Sequence, residues 1–280
     1  MDPYKKRRAF GQHFLKDTVI ANEIASTAVQ SAVEAGCTSL LEIGPGRGAI
    51  TRPLFQCLSE QSLILNFILC EKDRELVSYW KEQLQTAQGT TPVTIEEGDF
   101  LELDESIWLK STPLAVVSNL PYSAGTAILV RLAQHPHLIR VMVLMFQAEV
   151  AKRLRAQPST KEWGSLSIWI QNRWEVKRLL EVPPKAFKPP PKVNSEVVIL
   201  TPRAKPQVDV AEDPKSQALW ESLLKACFQQ RRKMLRSSLH GPFKAAFEAS
   251  GIDGTRRAEA LNWDQWRTLY EILREQNSDV

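Results

Sequence analysis

The chain has 280 residues, of which 43% are hydrophobic and 24% are charged. This is a globular composition, with enough apolar content for one large domain or for a large domain and a small one. No apolar run reaches the ~18 residues of a membrane helix, and the basic start at Lys5, Lys6, Arg7 and Arg8 is not followed by an apolar segment. The sequence therefore predicts neither a membrane span nor a signal peptide, and we expect a cytoplasmic protein.

Cysteine spacing and the placement of basic residues restrict the kinds of site and partner that the sequence indicates. The four cysteines (Cys37, Cys57, Cys70 and Cys227) form no C-x-x-C pair, which argues against disulfides and a metal site and predicts buried, reduced thiols. The net charge of +4 does not by itself indicate a nucleic-acid partner. Basic clusters in the N-terminal arm and further along fit a solvated surface as well as they fit RNA phosphates. The later clusters are Arg231, Arg232, Lys233 and Arg236, then Arg256 and Arg257.

In chain order, buried apolar runs alternate with helical patterns. The runs that predict strands are 39–43, 63–70, 93–95, 114–119 and 141–146. The patterns that predict helices between them include 73–85, 125–133 and 147–154. This alternation predicts an α/β fold with a mostly parallel, doubly wound sheet.

The remainder of the chain has a different pattern of apolar, polar and proline residues. Two strand-like segments, 174–182 and 196–200, flank the proline-dense loop 183–191 and predict a terminal antiparallel pair. After Pro202 a polar stretch is followed by helical periodicity whose apolar stripes indicate a core. We therefore predict two domains, residues 1–203 with the sheet and residues 204–280 as a small all-helical domain.

A glycine-rich turn follows the first predicted strand and precedes a helical pattern. Its sequence is Glu42-Ile43-Gly44-Pro45-Gly46-Arg47-Gly48. Glycines let the backbone approach a ligand closely, but this spacing fits a dinucleotide fingerprint too, so it does not separate NAD from S-adenosylmethionine. Glu42 favours the second cofactor, because an acid there can face its positively charged methionine end, whereas a dehydrogenase has no such need.

Two further acids follow later strands. Glu71 ends the second predicted strand, about twenty residues beyond the turn, where a carboxylate accepts hydrogen bonds from the ribose hydroxyls of either cofactor. Asp99 follows the third strand and is suited to accept from an adenine amino group. Each acid alone also fits a helix cap or an exposed loop. Together with Glu42 they predict a ligand site at the carboxyl edge of the sheet, where open α/β sheets bind ligands.

The tetrapeptide Asn119-Leu120-Pro121-Tyr122 closes the fourth predicted strand at that same edge. Alone it fits an ordinary turn. Beside the glycine turn it suits a flat, amino-bearing base, because the Asn119 side-chain oxygen and the Leu120 carbonyl can accept both amine hydrogens and aim the nitrogen at a sulfonium methyl. Tyr122 would stack on a base that is unpaired or flipped out. Phe187, in the proline-dense loop, either closes the other face of the base or is anchored in the core.

With these motifs the chain resembles the small-subunit ribosomal RNA adenine N6,N6-dimethyltransferases, the KsgA type. The likeness runs through ordered blocks at 10–15, 42–46, 119–122, 147–154, 181–184, 187–195 and 228–233. It implies a Rossmann-like methyltransferase fold and S-adenosyl-L-methionine as the cofactor. It also implies transfer of two methyl groups to each of two adjacent adenosines in the 3′-terminal hairpin loop of small-subunit (16S) rRNA, within an assembling 30S-type particle. We expect a monomer with a role in small-subunit biogenesis.

The resemblance also implies roles for single residues. Contacts with the cofactor are implied for His13, Leu15, Gly44, Glu71, Asp99 and Asn119. Tyr122 and Phe187 would sandwich the adenine, and the run Arg231-Arg232-Lys233 would lie on RNA. The chain departs from the family at position 13, where His replaces a frequent Asn and makes the contact pH-dependent if the imidazole titrates near neutrality. It also departs at Ala148, where a Lys is common, which removes one expected phosphate contact.

Three other functions compete with this interpretation. The first is the large-subunit rRNA adenine methyltransferase type that confers antibiotic resistance, against which the 187–195 loop and the Arg-Arg-Lys run argue by resemblance. The second is a non-catalytic RNA-binding assembly or transcription factor on the same fold, in which loss of the acids or of Asn119 would be expected. The third is a dehydrogenase, for which the Asn-Leu-Pro-Tyr turn has no role.

Overall fold

The computed structural model describes residues 13–61, 63, 65–86 and 92–278. The basic N-terminal arm and residues 10–12 of the first family block lie outside these ranges. The strands are β1 (Phe14–Leu15), β2 (Ser39–Ile43), β3 (Asn66–Glu71), β4 (Val93–Glu97), β5 (Leu114–Asn119), β6 (Ile139–Gln147), β7 (Trp174–Val182), β8 (Phe187–Lys188) and β9 (Ser195–Pro202). The first helices are α1 (Thr18–Glu34), α2 (Thr51–Glu60), α3 (Arg74–Thr86), α4 (Ser106–Leu109), α5 (Gly125–Ala133), α6 (Ala148–Leu154) and α7 (Ser165–Arg173). The last are α8 (Pro214–Phe228), α9 (Leu235–Ser238), α10 (Gly241–Ala249) and α11 (Trp263–Ser278).

The main sheet of the described residues has the strand order β4-β3-β2-β5-β6-β9-β7. Strands β2 to β6 run parallel to their neighbours, whereas β9 pairs antiparallel with β6. The predicted α/β fold with a doubly wound sheet is therefore confirmed. Because the strand order reverses between β2 and β5, the crevice at their carboxyl ends is the place where such sheets bind ligands.

The predicted strand at 63–70 is wrong at its start. The backbone N–H of Leu63 donates to the Leu58 carbonyl at 3.0 Å, which closes the end of α2, and the strand begins only at Asn66. The short strands β1 and β8, which pair antiparallel with Leu15 opposite Phe187, carry too few residues to show a period and were not predicted. Of the predicted terminal pair, β7 and β9 are neighbours in the sheet.

Full burial explains why the central strands could be recognised as apolar runs. All of β2 is buried, and α1 packs against the neighbouring strands β5 and β6 through a buried stripe made mostly of alanines. The buried stripe of α1 consists of Ala21, Ile24, Ala25, Ala28, Val29 and Ala32. The strand ends are thereby held rigidly, which is what a site built at the edge of a sheet requires.

Contacts divide the chain into two compact units. The first contains the residues up to Ala151 together with Glu175–Pro202, and the second contains Lys152–Trp174 with the residues from Arg203 onward. The predicted division at 203/204 thus lies one residue from the last of the three points at which the chain passes between the units, but α7 belongs to the helical unit and not to the sheet unit. The reason is that Trp163 and Ile168 are buried in the same apolar cluster as α8 and α11.

The helical unit has its own aromatic core. Trp220 of α8 packs edge-to-face against Trp266 and Tyr270 of α11, with ring centroids 6.1 and 5.5 Å apart. All three side chains are buried, so the apolar stripes predicted to form a core do so. Among the described residues, the structure contains no helix whose length and apolar character would let it cross a bilayer.

Candidate active site

The predicted site residues of the sheet unit meet at one edge. The glycine turn follows β2, Glu71 ends β3, Asp99 lies beyond β4, and Asn119 ends β5. These four strands are consecutive neighbours and parallel, so their carboxyl ends form a continuous row. The sequence-based placement of the acids and of the Asn-Leu-Pro-Tyr turn at a common edge is therefore confirmed.

The glycine turn is held in a conformation that exposes its backbone. Gly44, Gly46 and Gly48 have φ angles of 69°, 56° and 88°, which lie in the left-handed region that glycine adopts without strain. Gly44 is exposed, and a Cβ added there would meet no atom within 4 Å. A Cβ on Gly48 would instead lie 2.8 Å from Trp80, whose indole N–H donates to the Gly46 carbonyl at 2.9 Å. Trp80 thus supports the turn from beneath and leaves its outer side open.

Glu71 is a buried carboxylate that accepts hydrogen bonds from two loops. Its Oε2 accepts from the Gly46 N–H at 3.1 Å, and its Oε1 accepts from the N–H groups of Lys72 and Asp73, both at 2.9 Å. Burial raises the pKa of Glu71, and the three backbone hydrogen bonds act in the opposite direction. The side chain is therefore fixed in place and joins the glycine turn to the end of β3.

Glu42 lies under the same turn and is almost completely buried. Glu42 is 2% exposed, and its Oε2 makes no hydrogen bond of ordinary geometry with the described residues. Burial raises the pKa of Glu42 to about 8; the buried hydroxyl of Thr51 acts in the opposite direction, and the nearby charge of Glu71 raises the pKa further. A buried carboxylate oxygen without a partner is costly in an apolar setting and is a common mark of a functional site.

Asp99 forms an ion pair with a residue to which the sequence analysis assigned no role. Lys72 Nζ lies 2.6 Å from Asp99 Oδ2, and the Leu101 N–H donates to Oδ1 at 3.0 Å. The hydrogen bond from Lys72 is the main cause that lowers the pKa of Asp99. The sequence carries no local signal for this contact, because the two residues are 27 positions apart in the chain.

The loop that carries Asp99 is anchored by Arg131 of α5. The guanidinium donates to the carbonyls of Phe100 and Leu103 and to Glu105 Oε1. Its side chain is 16% exposed, so these charge-assisted bonds are shielded from water. Arg131 therefore holds the residues after Asp99 in a defined course.

Asn119 is oriented by the N-terminal segment. Its Nδ2 donates to the backbone carbonyl of His13 at 3.4 Å. Because a carbonyl oxygen only accepts hydrogen bonds, the amide nitrogen must face His13, which leaves Oδ1 as the atom available to a donor. The turn that follows is closed by the Pro121 carbonyl, which accepts from Ala124 and Gly125 at 3.0 and 2.8 Å, so the Leu120 carbonyl takes no part in it.

Tyr122 is held from two sides. Its hydroxyl lies 2.7 Å from Ser195 Oγ at the start of β9, and its ring centroid lies 5.4 Å from that of His13. His13 Nδ1 in turn lies 2.8 Å from the Pro189 carbonyl, which links the N-terminal segment to the proline-dense loop. Ser195 was not singled out from the sequence; it is the first residue of β9 and the last residue of the family block 187–195. A depression beside Tyr122 is lined by Leu120, Thr126, Phe146, Gln147 and Val150.

Phe187 and Leu15 do not line an open site. Phe187 is 1% exposed and Leu15 is 5% exposed, and both belong to the core of the sheet unit, where they lie opposite each other in the β1–β8 pair. The sandwich role predicted for the Phe187 ring is therefore not what this structure shows, because burying an aromatic ring in the core is favourable and leaves no face open to a base. The structural alternative stated above, a loop aromatic anchored in the core, describes its position.

The Arg231-Arg232-Lys233 run of the helical unit contains two kinds of residue. Arg231 Nη2 donates to the carbonyls of Lys161 and Trp163, both at 2.9 Å, and lies 3.5 Å from Glu259 Oε2. All three residues of the run are exposed, but the Arg231 side chain is committed to these internal bonds. The Leu235 N–H donates to the Arg256 carbonyl at 2.9 Å, which brings the exposed residues Arg236, Arg256 and Arg257 close to the same run.

Comparison with known proteins identifies the chain. The family model described as ribosomal RNA adenine dimethylase matches residues 4–275. The chain belongs to this family. Its fold, its cofactor S-adenosylmethionine and its enzyme class, an rRNA adenine dimethyltransferase, therefore agree with the expectations from sequence.

Individual relatives extend along the whole chain. The ribosomal RNA small subunit methyltransferase A of Nitrosomonas europaea is 37% identical over 270 residues, which cover 95% of this chain and 97% of the relative. The crystal structure of a dimethyladenosine transferase from Plasmodium falciparum aligns with a TM-score of 0.73 at 23% identity, over 95% of this chain and 98% of that one. The crystal structure of the 23S rRNA methyltransferase ErmE aligns with a TM-score of 0.62 at 25% identity, over 93% of this chain and 99% of that one.

The residues at the sheet edge fit S-adenosylmethionine. The open side of Gly44 admits a ligand against the backbone, and Glu71 places a carboxylate directly beside this turn, through its bond from the Gly46 N–H. When bound, the cofactor supplies a methyl group on a sulfonium, which is already electrophilic. The protein therefore has to hold the adenosine and methionine ends and to present the nucleophile.

Proposed function

We propose that this enzyme dimethylates two adjacent adenosines in the 3′-terminal hairpin loop of small-subunit rRNA. The observation that carries the chemistry is the orientation of Asn119 at the end of β5, with its amide nitrogen on the His13 carbonyl and Oδ1 left for an incoming amine. The choice of the small subunit is supported by the relative from Nitrosomonas europaea, which is named for that activity and is 37% identical over nearly the full length.

The adenine amine is a weak nucleophile because its lone pair is delocalised into the ring. In this proposal Asn119 Oδ1 and the Leu120 carbonyl accept its two hydrogens, which favours a tetrahedral nitrogen with the lone pair directed at the methyl group. These two dipoles also stabilise the positive charge that develops on the nitrogen during attack. A general base is not required at that stage, since the proton leaves afterwards to water or a nearby acceptor.

Tyr122 holds the ring of the target base. Its hydroxyl bond to Ser195 fixes the plane of the phenol, and an unpaired or flipped base stacks on it, which is worth ~1–3 kcal/mol per base. We assign the cofactor contacts to Gly44, Glu71, Asp99 and Asn119, with His13 and Leu15 acting through the segment that orients Asn119. For Phe187 to close the second face of the base, its ring would have to leave the core.

The partner in this proposal is small-subunit rRNA within an assembling 30S-type particle, bound by a monomer of the enzyme in the cytoplasm. Arg232 and Lys233, with the neighbouring exposed residues Arg236, Arg256 and Arg257, supply a basic surface on the helical unit for RNA phosphates. Arg231 instead stabilises the fold beside this surface by donating to the Lys161 and Trp163 carbonyls.

A competing function with the same chemistry is methylation of large-subunit RNA. It is supported by the 25% identity to the 23S rRNA methyltransferase ErmE. Cells that lack the gene distinguish the two. Mass spectrometry of their ribosomal RNA should show loss of dimethyladenosine from the small-subunit RNA, with the large-subunit RNA unchanged. The opposite pattern would support the rival, and unchanged RNA in both subunits would contradict the proposed function.

A further inference from the structure

Lys72 is a residue of the cofactor edge that the mechanism above does not use. It directly follows Glu71, and its backbone N–H donates to Glu71 Oε1 at 2.9 Å. At the other end of the side chain, Nζ lies 2.6 Å from Asp99 Oδ2. The side chain therefore spans from the acid assigned to the ribose to the acid assigned to the adenine.

The hydrogen bonds of Asp99 show what this placement means for a ligand. Oδ1 already accepts from the Leu101 N–H at 3.0 Å, so Oδ2 is the oxygen left for another donor. An adenine amine and an ammonium are both hydrogen-bond donors, so each can donate to the same oxygen, Asp99 Oδ2.

We propose that Lys72 sets the affinity of the cofactor site by competing for Asp99, so that its ammonium must leave Oδ2 before the adenine amine binds there. This inference rests on the role of Asp99 given under the proposed function. Moving the Lys72 ammonium away from Oδ2 costs little free energy, because the side chain is 67% exposed and the ammonium remains hydrated outside the site. Asp99, whose side chain is 25% exposed, is left with an open acceptor at the edge of the site.

The opposite role would be that Lys72 supports binding by keeping Asp99 ionised and oriented. The two roles predict opposite signs for the same substitution. The hydrogen bond from Leu101 and the Arg131 anchor of the following loop already orient Asp99 without Lys72. Competition is therefore the role that the contacts favour.

Titration calorimetry with S-adenosylhomocysteine tests the competition without turnover, since this product carries the same adenosine. Lys72→Met should lower the Kd about two- to fivefold, the range that an exposed ion pair allows. Lys81→Met, which removes an exposed lysine from α3, is the matched control for loss of charge and should leave the Kd unchanged. Asp99→Asn should weaken binding, and adding Lys72→Met to Asp99→Asn should give no further gain.

Three results would overturn the inference. If Lys72→Met binds S-adenosylhomocysteine as tightly as the wild type or more weakly, competition is excluded. If Lys72→Met lowers the Kd by the same factor in the wild type and in Asp99→Asn, the effect does not pass through Asp99. If Asp99→Asn binds as tightly as the wild type, the assignment of Asp99 to the adenine fails, and the inference fails with it. A normal loss in Asp99→Asn together with no gain in Lys72→Met overturns the role of Lys72 alone.

Discussion

The amide nitrogen of Asn119 donates to the backbone carbonyl of His13 at 3.4 Å, across a separation of 106 residues in the chain. This bond fixes which atom of the amide faces outward. Since the His13 side chain also contacts the Pro189 carbonyl, the same short segment connects the Asn-Leu-Pro-Tyr turn with the proline-dense loop. The orientation of the Asn119 amide thus depends on the start of the described chain as much as on β5.

Replacing Asn119 with Ala removes one of the two acceptors for the target amine. We expect methyl transfer to fall by about 100-fold or more, the size typical for losing one preorganised transition-state group, with little change in RNA affinity. Single-turnover rates and filter binding with undermethylated small subunits measure the two quantities. Asn66→Ala, at the exposed start of β3, is a control that should keep the wild-type rate. Equal rates for Asn119→Ala and wild type would refute the mechanism.

The ring and the hydroxyl of Tyr122 have separable roles. Tyr122→Phe keeps the stacking face and loses the bond to Ser195, so we expect only a few-fold loss of rate, and Ser195→Ala should match it. Tyr122→Ala removes the stacking platform and should cost ~1–3 kcal/mol of transition-state stabilisation. The values of kcat/KM for these variants provide the comparison. An equal loss in Tyr122→Phe and Tyr122→Ala would show that the hydroxyl, and not the ring, carries the effect.

From the raised pKa of Glu42 we expect a specific dependence of the free energy of unfolding on pH. Burial raises its pKa in the folded protein to about 8 from an ordinary value of 4.5, so between these limits the folded state holds a proton that the unfolded state has released. Its contribution is therefore fully present below pH 4.5 and is lost as the pH rises through about 8. Between about pH 6 and pH 8.5 the wild type should lose more stability than Glu42→Gln, on the order of 2 kcal/mol.

Urea unfolding of both proteins across this window measures the difference. Glu71, whose pKa is also raised by burial, is present in both proteins, so the difference between the curves reports the ionisation of Glu42 together with its coupling to Glu71. Parallel curves for wild type and Glu42→Gln would mean that Glu42 is ionised throughout and that the buried carboxylate has a charged partner.

The Arg-Arg-Lys run should divide into a structural and an RNA-binding part. Arg231→Met removes the donors to the Lys161 and Trp163 carbonyls, and we expect a loss of about 1–3 kcal/mol in the stability of the helical unit. Arg232→Met should leave the unfolding curve unchanged and weaken RNA binding with a smaller salt dependence. Thermal unfolding and salt titrations of RNA affinity separate the two effects. Wild-type stability in Arg231→Met would contradict the structural assignment.

Much of the sheet unit follows from the sequence because its signals are local. Strands buried on both faces, such as β2 and β5, appear as continuous apolar runs, and the residues at their carboxyl ends then share an edge by topology alone. The Rossmann-like fold and the row of acids could be predicted for this reason. Pairs of two residues, such as β1 with β8, have no period and become visible only in the structure.

The rest of the site depends on contacts between distant residues. Arg231 and Arg232 are equivalent in sequence, and only the carbonyls of Lys161 and Trp163 distinguish them. An aromatic residue in a proline-dense loop fits a stacking role or a core position equally well, and the pairing of Phe187 with Leu15 decides for the core. In the same way, no local pattern shows that Lys72 reaches Asp99.

We expect this enzyme to dimethylate adenosines of the small-subunit RNA. The most direct measurement incubates the purified protein with labelled S-adenosylmethionine and small subunits from a strain that lacks the modification, followed by nucleoside analysis of the RNA. We predict label in N6,N6-dimethyladenosine of the small-subunit RNA. Absence of label with cofactor binding intact, or label confined to large-subunit RNA offered in parallel, would contradict the account.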